Sequence, residues 1–219
     1  MADPIPAIAT PGPLTERMGM SLAQAFHDAP DYRFILACHP DRLSALSWFF
    51  GSFVARLALR YGSVLSTDIG GAGILLFAPG QSPSLPALLG AGALSLPRFF
   101  GLRGAWRAFF LGLHLERRRL QLAPLPHWYV IAVGVTPELQ GRGNGIALLK
   151  RALQRSDADG VPCYLEVFEA ELVTRYERMG FVVLHQDRLP GELTLWCMLR
   201  PPGALANTAA TFSNGSFTL

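Results

Sequence analysis

The first sixty residues repeat large apolar side chains at the spacing of helices. Residues 14–27 predict a first helix, and Pro30 ends any continuation of it because proline lacks the helical N–H donor. Asp41 is a suitable N-cap for a second helix over residues 42–61, where apolar positions recur every three or four residues. The chain therefore opens with two predicted helices that each carry an apolar face.

Short apolar runs bounded by turn residues predict strands in the rest of the chain. The first two flank a turn at 68–71 and predict a hairpin. The third is apolar almost throughout, which is typical of a strand buried on both faces of a sheet. The predicted strands cover residues 63–66, 72–77, 128–135, 163–168, 181–184 and 193–199.

Two amphipathic segments predict helices between the later strands. Residues 146–156 place Ile146 and Leu149 on an apolar side, with basic and polar residues opposite. Residues 171–179 predict a second helix, closed by Gly180 as the left-handed residue that follows a helix end.

Residues 81–120 carry the excess positive charge of the chain. They hold six arginines and one acid, or +5, whereas the segments on either side each sum to −1. An apolar run at 85–96 is broken by Pro97, and residues 98–119 mix aromatic residues with the arginines. We interpret residues 81–120 as a helical insertion that packs on the core, because its glycines weaken a long surface helix. A basic amphipathic helix on a membrane surface is the alternative.

Composition narrows the class of protein. The 219 residues fit one domain, and 50% apolar residues suffice for a core. Basic charge confined to one segment argues against a nucleic-acid-binding face. The sequence contains no run of ~18 apolar residues, so we expect no membrane-spanning helix. The three cysteines have no metal-binding spacing, so we expect no metal site and interpret them as small buried hydrophobic residues. They fit a reducing, cytoplasmic compartment. We expect a flexible arm at 1–13, one domain at 14–200 and a flexible tail at 201–219.

The most informative stretch is the turn between the strand 128–135 and the helix 146–156. The turn reads Gln140-Gly141-Arg142-Gly143-Asn144-Gly145. A helix start leaves N–H groups unpaired and carries partial positive charge, and glycines let phosphate oxygens approach closely. The Gln-x-x-Gly-x-Gly spacing differs from the GxGxxG dinucleotide fingerprint, and no P-loop Lys-Ser/Thr pair follows it. The turn therefore predicts a site for a phosphorylated cofactor outside those two nucleotide-binding folds.

Longer motifs in residues 126–184 resemble the GCN5-related N-acetyltransferase (GNAT) superfamily. They are Val-Gly-Val-Thr-Pro-x-x-Gln-Gly-Arg-Gly-x-Gly at 133–145, Tyr-Leu-Glu at 164–166 and Arg-Tyr-Glu-Arg-Met-Gly-Phe at 175–181. His-Trp-Tyr at 127–129 and Pro-Cys-Tyr-Leu-Glu at 162–166 resemble the small-molecule branch that includes puromycin acetyltransferase. The resemblance implies the α/β (α+β) GNAT fold, a mixed central sheet of about six to seven strands, splayed in the middle and flanked by helices.

The resemblance also implies acetyl-CoA as co-substrate, without a metal. The amides of residues 140–145 would cradle its pyrophosphate, with Gly143 and Gly145 permitting the close approach. The pantetheine arm would lie like an added strand along the main chain at Val133 and Val135. Gly134 would mark the bulge at which this strand parts from the next one.

The implied reaction is acetyl transfer to an amine by direct attack on the thioester. Tyr176 matches the family tyrosine beside the CoA sulfur and is the expected general acid, with a core aromatic as the alternative. Glu166 is the leading candidate for the general base, directly or through a water, against a strand-end glutamate in a solvated salt bridge. Tyr129 and His127 are expected to line the acceptor pocket, although a lone histidine at a strand start is more often structural.

Two acids depart from the family pattern. Relatives often have an Asn-Pro-containing turn after the Leu-Glu strand, whereas this chain has Phe168-Glu169-Ala170-Glu171. Either Glu169 and Glu171 face the acceptor, where they would favour a cationic amine, or they reduce the affinity for CoA.

The expected function is therefore an acetyl-CoA-dependent N-acetyltransferase that acts on a small-molecule amine. The same chemistry on a protein N-terminus or lysine, and a non-catalytic acyl-CoA-binding module, are the alternatives. The aromatic-rich segment 81–120 favours a covered pocket and a small, partly apolar substrate. Members of the family often pair, so the resemblance is compatible with a homodimer. Nothing in the sequence identifies the amine.

Overall fold

The computed structural model describes residues 7–8, 11–67, 70–123 and 126–203. Most of the predicted arm and tail, and residues 68–69 of the predicted hairpin turn, lie outside these ranges. The described residues form a mixed α/β domain with one sheet. Its strands are β1 (Ala7–Ile8), β2 (Gly62–Ser66), β3 (Ala72–Phe77), β4 (Trp128–Val135), β5 (Cys163–Val167), β6 (Val182–Leu189) and β7 (Leu193–Arg200). They are ordered β1-β2-β3-β4-β5-β7-β6 across the sheet.

Helices cover both faces of this sheet. They are α1 (Pro13–Phe26), α2 (Pro30–Ile35), α3 (Arg42–Trp48), α4 (Ala55–Tyr61), α5 (Leu85–Ala91), α6 (Leu96–Leu122), α7 (Asn144–Ala158) and α8 (Ala170–Glu177). A π-helical stretch, Phe49–Val54, joins α3 to α4, and 3₁₀ turns occupy Ala93–Ser95 and Pro137–Leu139. One apolar core lies between the sheet and α1, α3 and α4, and a second lies between the sheet, α7 and α8.

The two predicted N-terminal helices are present, with two differences: a short helix follows the first, and the π-helical stretch divides the second into α3 and α4. Pro30 opens the short helix α2 instead of ending helical structure, because proline suits the first positions of a helix. Asp41 caps α3 as predicted, and its carboxylate accepts a hydrogen bond from the Ser44 amide at 3.0 Å. A Cβ atom on Gly19 would lie 2.4 Å from the Gly51 Cα, so α1 and the π-helical stretch touch backbone to backbone.

The sheet is splayed between β4 and β5, as predicted. These two strands are parallel and pair only at Trp128–Cys163, Tyr129–Tyr164 and Val130–Leu165. Beyond Val130, β4 continues against β3, while β5 continues against β7. A gap therefore opens between the C-terminal halves of two neighbouring strands. The residues of β4 alternate between buried and half-buried, because this gap leaves the strand less covered than its apolar sequence predicts.

The predicted bulge at Gly134 is wrong by three residues. Gly134 pairs regularly with Gly73, and the register shifts instead where Leu75 faces Ala132 and Leu76 faces Val130, which leaves Ile131 as the extra residue. The packing of α1 explains why a residue without a side chain stands at position 134. A Cβ atom there would lie 2.9 Å from Leu22 and 3.0 Å from Ala25, so α1 packs directly against this position.

The segment after β3 is helical, but Pro97 does not break it. Pro97 lies in the first turn of α6, where the missing N–H has no intrahelical partner to lose. The interruption falls at Gly101, whose φ of 69° and ψ of 165° are not helical. Within the described ranges, no single helix is long and apolar enough to cross a membrane, and Leu85–Ala91 with Ala93–Leu122 would qualify only as a pair bent by 57°.

The later helices follow the predicted pattern with one exception. Leu148, Leu149, Ala152 and Leu153 of α7 are buried against the sheet, whereas Ile146 is exposed because it lies in the first turn, at the mouth of the gap. The helix α8 ends at Glu177, two residues before the predicted end, and Gly180 follows it with a φ of +87° in the left-handed region, as predicted. The Phe181 amide donates back to the Tyr176 carbonyl oxygen across this cap.

Candidate active site

The turn from β4 into α7 has a fixed shape. Gly141 and Gly143 have φ values of 74° and 81°, in the left-handed region that favours glycine. The Gln140 side chain donates to the Val135 carbonyl oxygen at 3.1 Å, and the Asn144 side chain donates to the Leu139 carbonyl oxygen at 3.3 Å. These bonds tie one end of the turn to β4 and the other to the 3₁₀ turn that follows β4.

The start of α7 presents unpaired backbone donors. Its first helical bond runs from the Ala147 amide to the Gly143 carbonyl oxygen at 2.9 Å, so the amides of Asn144, Gly145 and Ile146 precede the helical ladder. Gly145 packs close to β4, because a Cβ atom there would lie 3.1 Å from the Val135 side chain. The exposed Arg142 adds positive charge to the turn. This arrangement fits a phosphate group at a helix N-terminus.

The gap beside β4 offers a second binding element. From Ile131 onwards β4 has no β5 residue paired with it, so one edge of the strand keeps its main-chain groups available. Val133 and Val135 lie on this stretch, which leads directly into the glycine turn. An extended ligand with amide groups can pair with such an edge while its phosphate reaches the helix start.

Glu166 lies on β5 beside the gap and is held by one neighbour. The Tyr129 hydroxyl donates to Glu166 Oε2 at 2.6 Å. The other carboxyl oxygen, Oε1, and the Tyr164 hydroxyl are buried and have no hydrogen-bond partner in the described parts of the chain. Burial raises the pKa of Glu166 to about 7, and the bond from Tyr129 opposes part of that rise. An unpartnered carboxyl oxygen at this position can accept a proton or a hydrogen bond from a ligand.

A buried arginine that the sequence analysis did not single out supports Tyr129. Arg119 of α6 is 2% exposed, and its guanidinium lies 5.3 Å from the centre of the Tyr129 ring. It forms an ion pair with Glu116 at 2.6 Å and lies 3.0 Å from His127 Nε2. His127 is therefore buried within this network beneath Tyr129. Only a helical-wheel argument on α6 could have placed Arg119 on the inner face.

Tyr176 lies on the other face of the sheet. It packs in the same core as Cys163, Leu165 and Val167, the alternate residues of β5 whose side chains point away from Glu166. Tyr176 is 8% exposed, and its ring lies 5.7 Å from that of Phe181. Burial raises the pKa of the Tyr176 hydroxyl to about 12.

Two acids from different elements lie near each other. Asp31 belongs to α2, and Glu169 precedes α8. Burial raises the pKa of Asp31 to about 7, and the negative charge of Glu169 adds to that rise. Glu171, the second acid of the unexpected turn, is exposed. The described residues contain no group of three or more histidines, cysteines or acids arranged to hold a metal ion.

The structure thus sorts the predicted site residues into three groups. Val133, Val135 and the turn 140–145 form a continuous strand edge and helix start. Tyr129, His127 and Glu166 form one cluster with Arg119 on the α6 side of the sheet. Tyr176 stands on the α7 and α8 side.

The same elements are matched by a known family. Residues 104–181, which run from α6 to the cap after α8, match the model of the acetyltransferase (GNAT) family. Residues 104–181 of this chain are therefore similar to a GNAT acetyltransferase domain, and the mixed sheet flanked by helices has the GNAT fold. Both findings support an acyltransferase.

Solved structures share the GNAT fold over most of the chain. A histone acetyltransferase HPA2 and related acetyltransferase from Corynebacterium glutamicum has a TM-score of 0.63 at 20% identity, over 90% of this chain and 96% of that one. Arylalkylamine N-acetyltransferase 2 from Aedes aegypti gives 0.57 at 12% identity, over 91% and 99%. A polyamine N-acetyltransferase from Drosophila melanogaster, which forms N-acetylagmatine, gives 0.55 at 15% identity, over 90% and 100%. At these identities the likeness establishes the fold of the GNAT domain, and the puromycin-acetyltransferase-like branch stays a prediction.

Proposed function

We propose that this GNAT domain transfers an acetyl group from acetyl-CoA to an amine of a small molecule, by direct attack of the amine on the thioester. The observation that carries the proposal is the parting of β4 and β5 beyond Val130. The gap has a helix start at its mouth, Glu166 on one face and Tyr176 on the other. Donor and acceptor can therefore enter from opposite faces of one sheet and meet between the strands.

On the donor side, the glycine turn and the strand edge would hold acetyl-CoA. The amides of Asn144, Gly145 and Ile146 would receive the pyrophosphate, and the unpaired edge of β4 would pair with the amides of the pantetheine arm. A free main-chain N–H near Val135 would stabilise the negative charge that develops on the carbonyl oxygen. Acetyl-CoA supplies the activated acyl group, and each of these contacts positions it.

On the acceptor side, Glu166 would take the proton that the amine must lose. A carboxyl group with a pKa near 7 is partly ionised at neutral pH, and this range suits a general base. The bond from Tyr129 fixes one oxygen and leaves the other, Oε1, for the amine or for a bridging water.

Tyr176 would protonate the leaving sulfur. Its raised pKa keeps the hydroxyl protonated at neutral pH, so it can serve as a general acid. Its place on the face opposite Glu166 separates the group that gives a proton from the group that takes one.

The two neighbouring acids Asp31 and Glu169 support a small cationic acceptor, because their negative charge would favour a cationic amine beside them. Three elements pack together over this region: Arg107 of α6 donates to the Phe34 carbonyl oxygen of α2 at 2.7 Å, and the turn at Gly191 packs on the Phe34 ring. A covered, acidic site suits a small amine better than a protein chain. The three unpaired cysteines also support a reducing, cytoplasmic setting.

The test is release of CoA thiol from acetyl-CoA across a panel of acceptors. The panel contains aliphatic monoamines, diamines, arylalkylamines and peptides with a free N-terminus or lysine. We expect acetyl-CoA alone to raise the melting temperature, and amines of the small-molecule classes to release thiol. Release only with peptides would favour the protein-acetylating alternative. A thermal shift without thiol release from any acceptor would favour a non-catalytic binding module.

A further inference from the structure

The outer face of α6 is apolar. After the interruption at Gly101, large side chains recur every three or four residues on the side turned away from the protein. Leu102 is 79% exposed, Trp106 65%, Phe109 55% and Leu113 51%. We call these four residues the outer stripe; it extends over about 17 Å at the rise of an α-helix. A contiguous exposed stripe of this kind marks an interaction surface more often than a surface of a free monomer.

The inner face of the same helix carries polar bonds as well as apolar contacts with the core, such as those of Phe100, Ala108 and Leu111. Arg107 and Arg118 point inward, and Arg118 binds Asp187 at 2.6 and 2.7 Å. Arg119 is buried beneath Tyr129. Because the apolar and polar contacts of the inner face already anchor α6, the outer stripe is not needed to hold the helix on the domain.

Positive charge flanks the outer stripe. Arg98, Arg103 and Arg117 are exposed, and none of them forms an ion pair with any acid in the described ranges. The one acid of α6, Glu116, is bound to Arg119. A tryptophan, a phenylalanine and leucines beside arginines are the composition of a helix that lies in a membrane interface, with the arginines at the level of the lipid headgroups.

We propose that the outer stripe of α6 docks this domain on an anionic lipid surface. The apolar stripe could bind either a lipid surface or a second copy of the chain, and the charge of the nearby arginines favours the lipid surface. A second copy on the same two-fold face would bring its own Arg98, Arg103 and Arg117 toward those of the first, whereas anionic headgroups neutralise them. The proposal concerns docking on one leaflet and does not depend on the acetyl-transfer reaction.

The experiment is co-sedimentation of the full chain with vesicles. Vesicles of phosphatidylcholine mixed with phosphatidylglycerol are compared with vesicles of phosphatidylcholine alone, at low and at high salt. We expect binding to the anionic vesicles that weakens as salt screens the arginines, and little binding to the neutral ones. A lipid-attached quencher should quench Trp106, and Trp106→Phe should keep binding while losing most of that quenching.

Surface variants distinguish the contribution of the apolar stripe to vesicle binding from that of the arginines. Trp106→Ser/Phe109→Ser should lower partitioning roughly tenfold or more. Arg103→Gln and Arg117→Gln should each lower it roughly fivefold. Val182→Ser is the matched control, because Val182 is 52% exposed on the edge strand β6 and lies outside α6. All variants change exposed side chains, so circular dichroism and melting temperature should match the parent chain.

Several results would overturn the proposal. They are a failure to sediment with anionic vesicles at low salt, equal binding to neutral vesicles, and binding that Trp106→Ser/Phe109→Ser leaves unchanged. Sedimentation velocity without lipid tests the alternative that the stripe binds a second copy of the chain. A dimer that this double variant dissociates would assign the stripe to a second copy of the chain. If the double variant does not fold, the quenching experiment on the parent chain is sufficient: no quenching of Trp106 by the lipid-attached quencher would overturn the proposal.

Discussion

At the scale of single residues, the environment of Glu166 determines its chemistry. Its carboxyl group receives one hydrogen bond, from Tyr129, while its second oxygen is buried without a partner in the described chain. Burial disfavours the charged form and raises the pKa to about 7, and the positive charge of Arg119 limits the rise. The resemblance identified Glu166 as the candidate base. It could not supply the pKa, because the pKa depends on Tyr129 and Arg119, which approach from other elements.

Glu166→Gln tests the base. The carboxylate is the active form, so kcat/KM of the parent enzyme should rise with pH through about 7 as Glu166 loses its proton. The glutamine variant should lose this rise and turn over about 10² to 10⁴ times more slowly. The measurement is the pH–rate profile of both proteins with the same amine, because titration of the amine then affects both equally. A variant that keeps the rise near pH 7 would exclude Glu166 as the base.

Tyr176→Phe tests the acid. The hydroxyl is protonated at neutral pH, and its removal takes away the proton for the departing sulfur while the ring still packs against Phe181. We expect kcat to fall by about 10² or more, with affinity for acetyl-CoA nearly unchanged. Steady-state kinetics and calorimetric titration with acetyl-CoA measure the two quantities. Equal turnover of variant and parent would leave Tyr176 with only its packing role.

At the scale of elements, α1 sets the position of β4. Gly134 gives this helix its close approach, since a Cβ atom would meet Leu22 and Ala25 at 2.9 and 3.0 Å. The strand so positioned leads into the glycine turn, and its free edge forms one wall of the gap.

Gly134→Ala tests this packing. The added methyl group must displace Ala25, which has no flexible side chain to move, so we expect a loss of about 1–3 kcal/mol in the free energy of unfolding. Gly90→Ala is the matched control: it lies in α5 with no atom within 4 Å of the new Cβ, and alanine there should be neutral or stabilising. Urea denaturation compares the two. Equal effects at both positions would contradict the close packing of α1 on β4.

Local signals predicted most elements, and the errors arose where proline or tertiary contacts decide. Asp41 as an N-cap and Gly180 as a C-terminal cap residue were recognised from local chemistry alone. Pro30 and Pro97 were interpreted as breaks, although each begins a helix, because a proline marks a start as readily as an end. The bulge at Ile131 carries no residue signal, since it reflects the pairing of two strands.

At the scale of the whole molecule, the sheet brings together groups that are far apart in sequence. Pairing of β4 with β5 through only three residue pairs opens the gap, and the alternation of β5 places Glu166 and the Tyr176 side of the core on opposite faces. The resemblance predicted the splayed sheet. It did not predict the cover on the acceptor side, because α2, α6 and the β6–β7 turn meet there through contacts such as Phe34 with Arg107 and Gly191.

The central claim is that donor and acceptor meet in the gap between β4 and β5, and a crystal structure with CoA bound tests it most directly. We expect the pyrophosphate at the amides of 144–146, the pantetheine arm along β4 beyond Val130, and the sulfur within hydrogen-bond distance of the Tyr176 hydroxyl. Glu166 should face the same point from the opposite side. Pantetheine lying outside the gap, or a sulfur remote from Tyr176, would contradict this account.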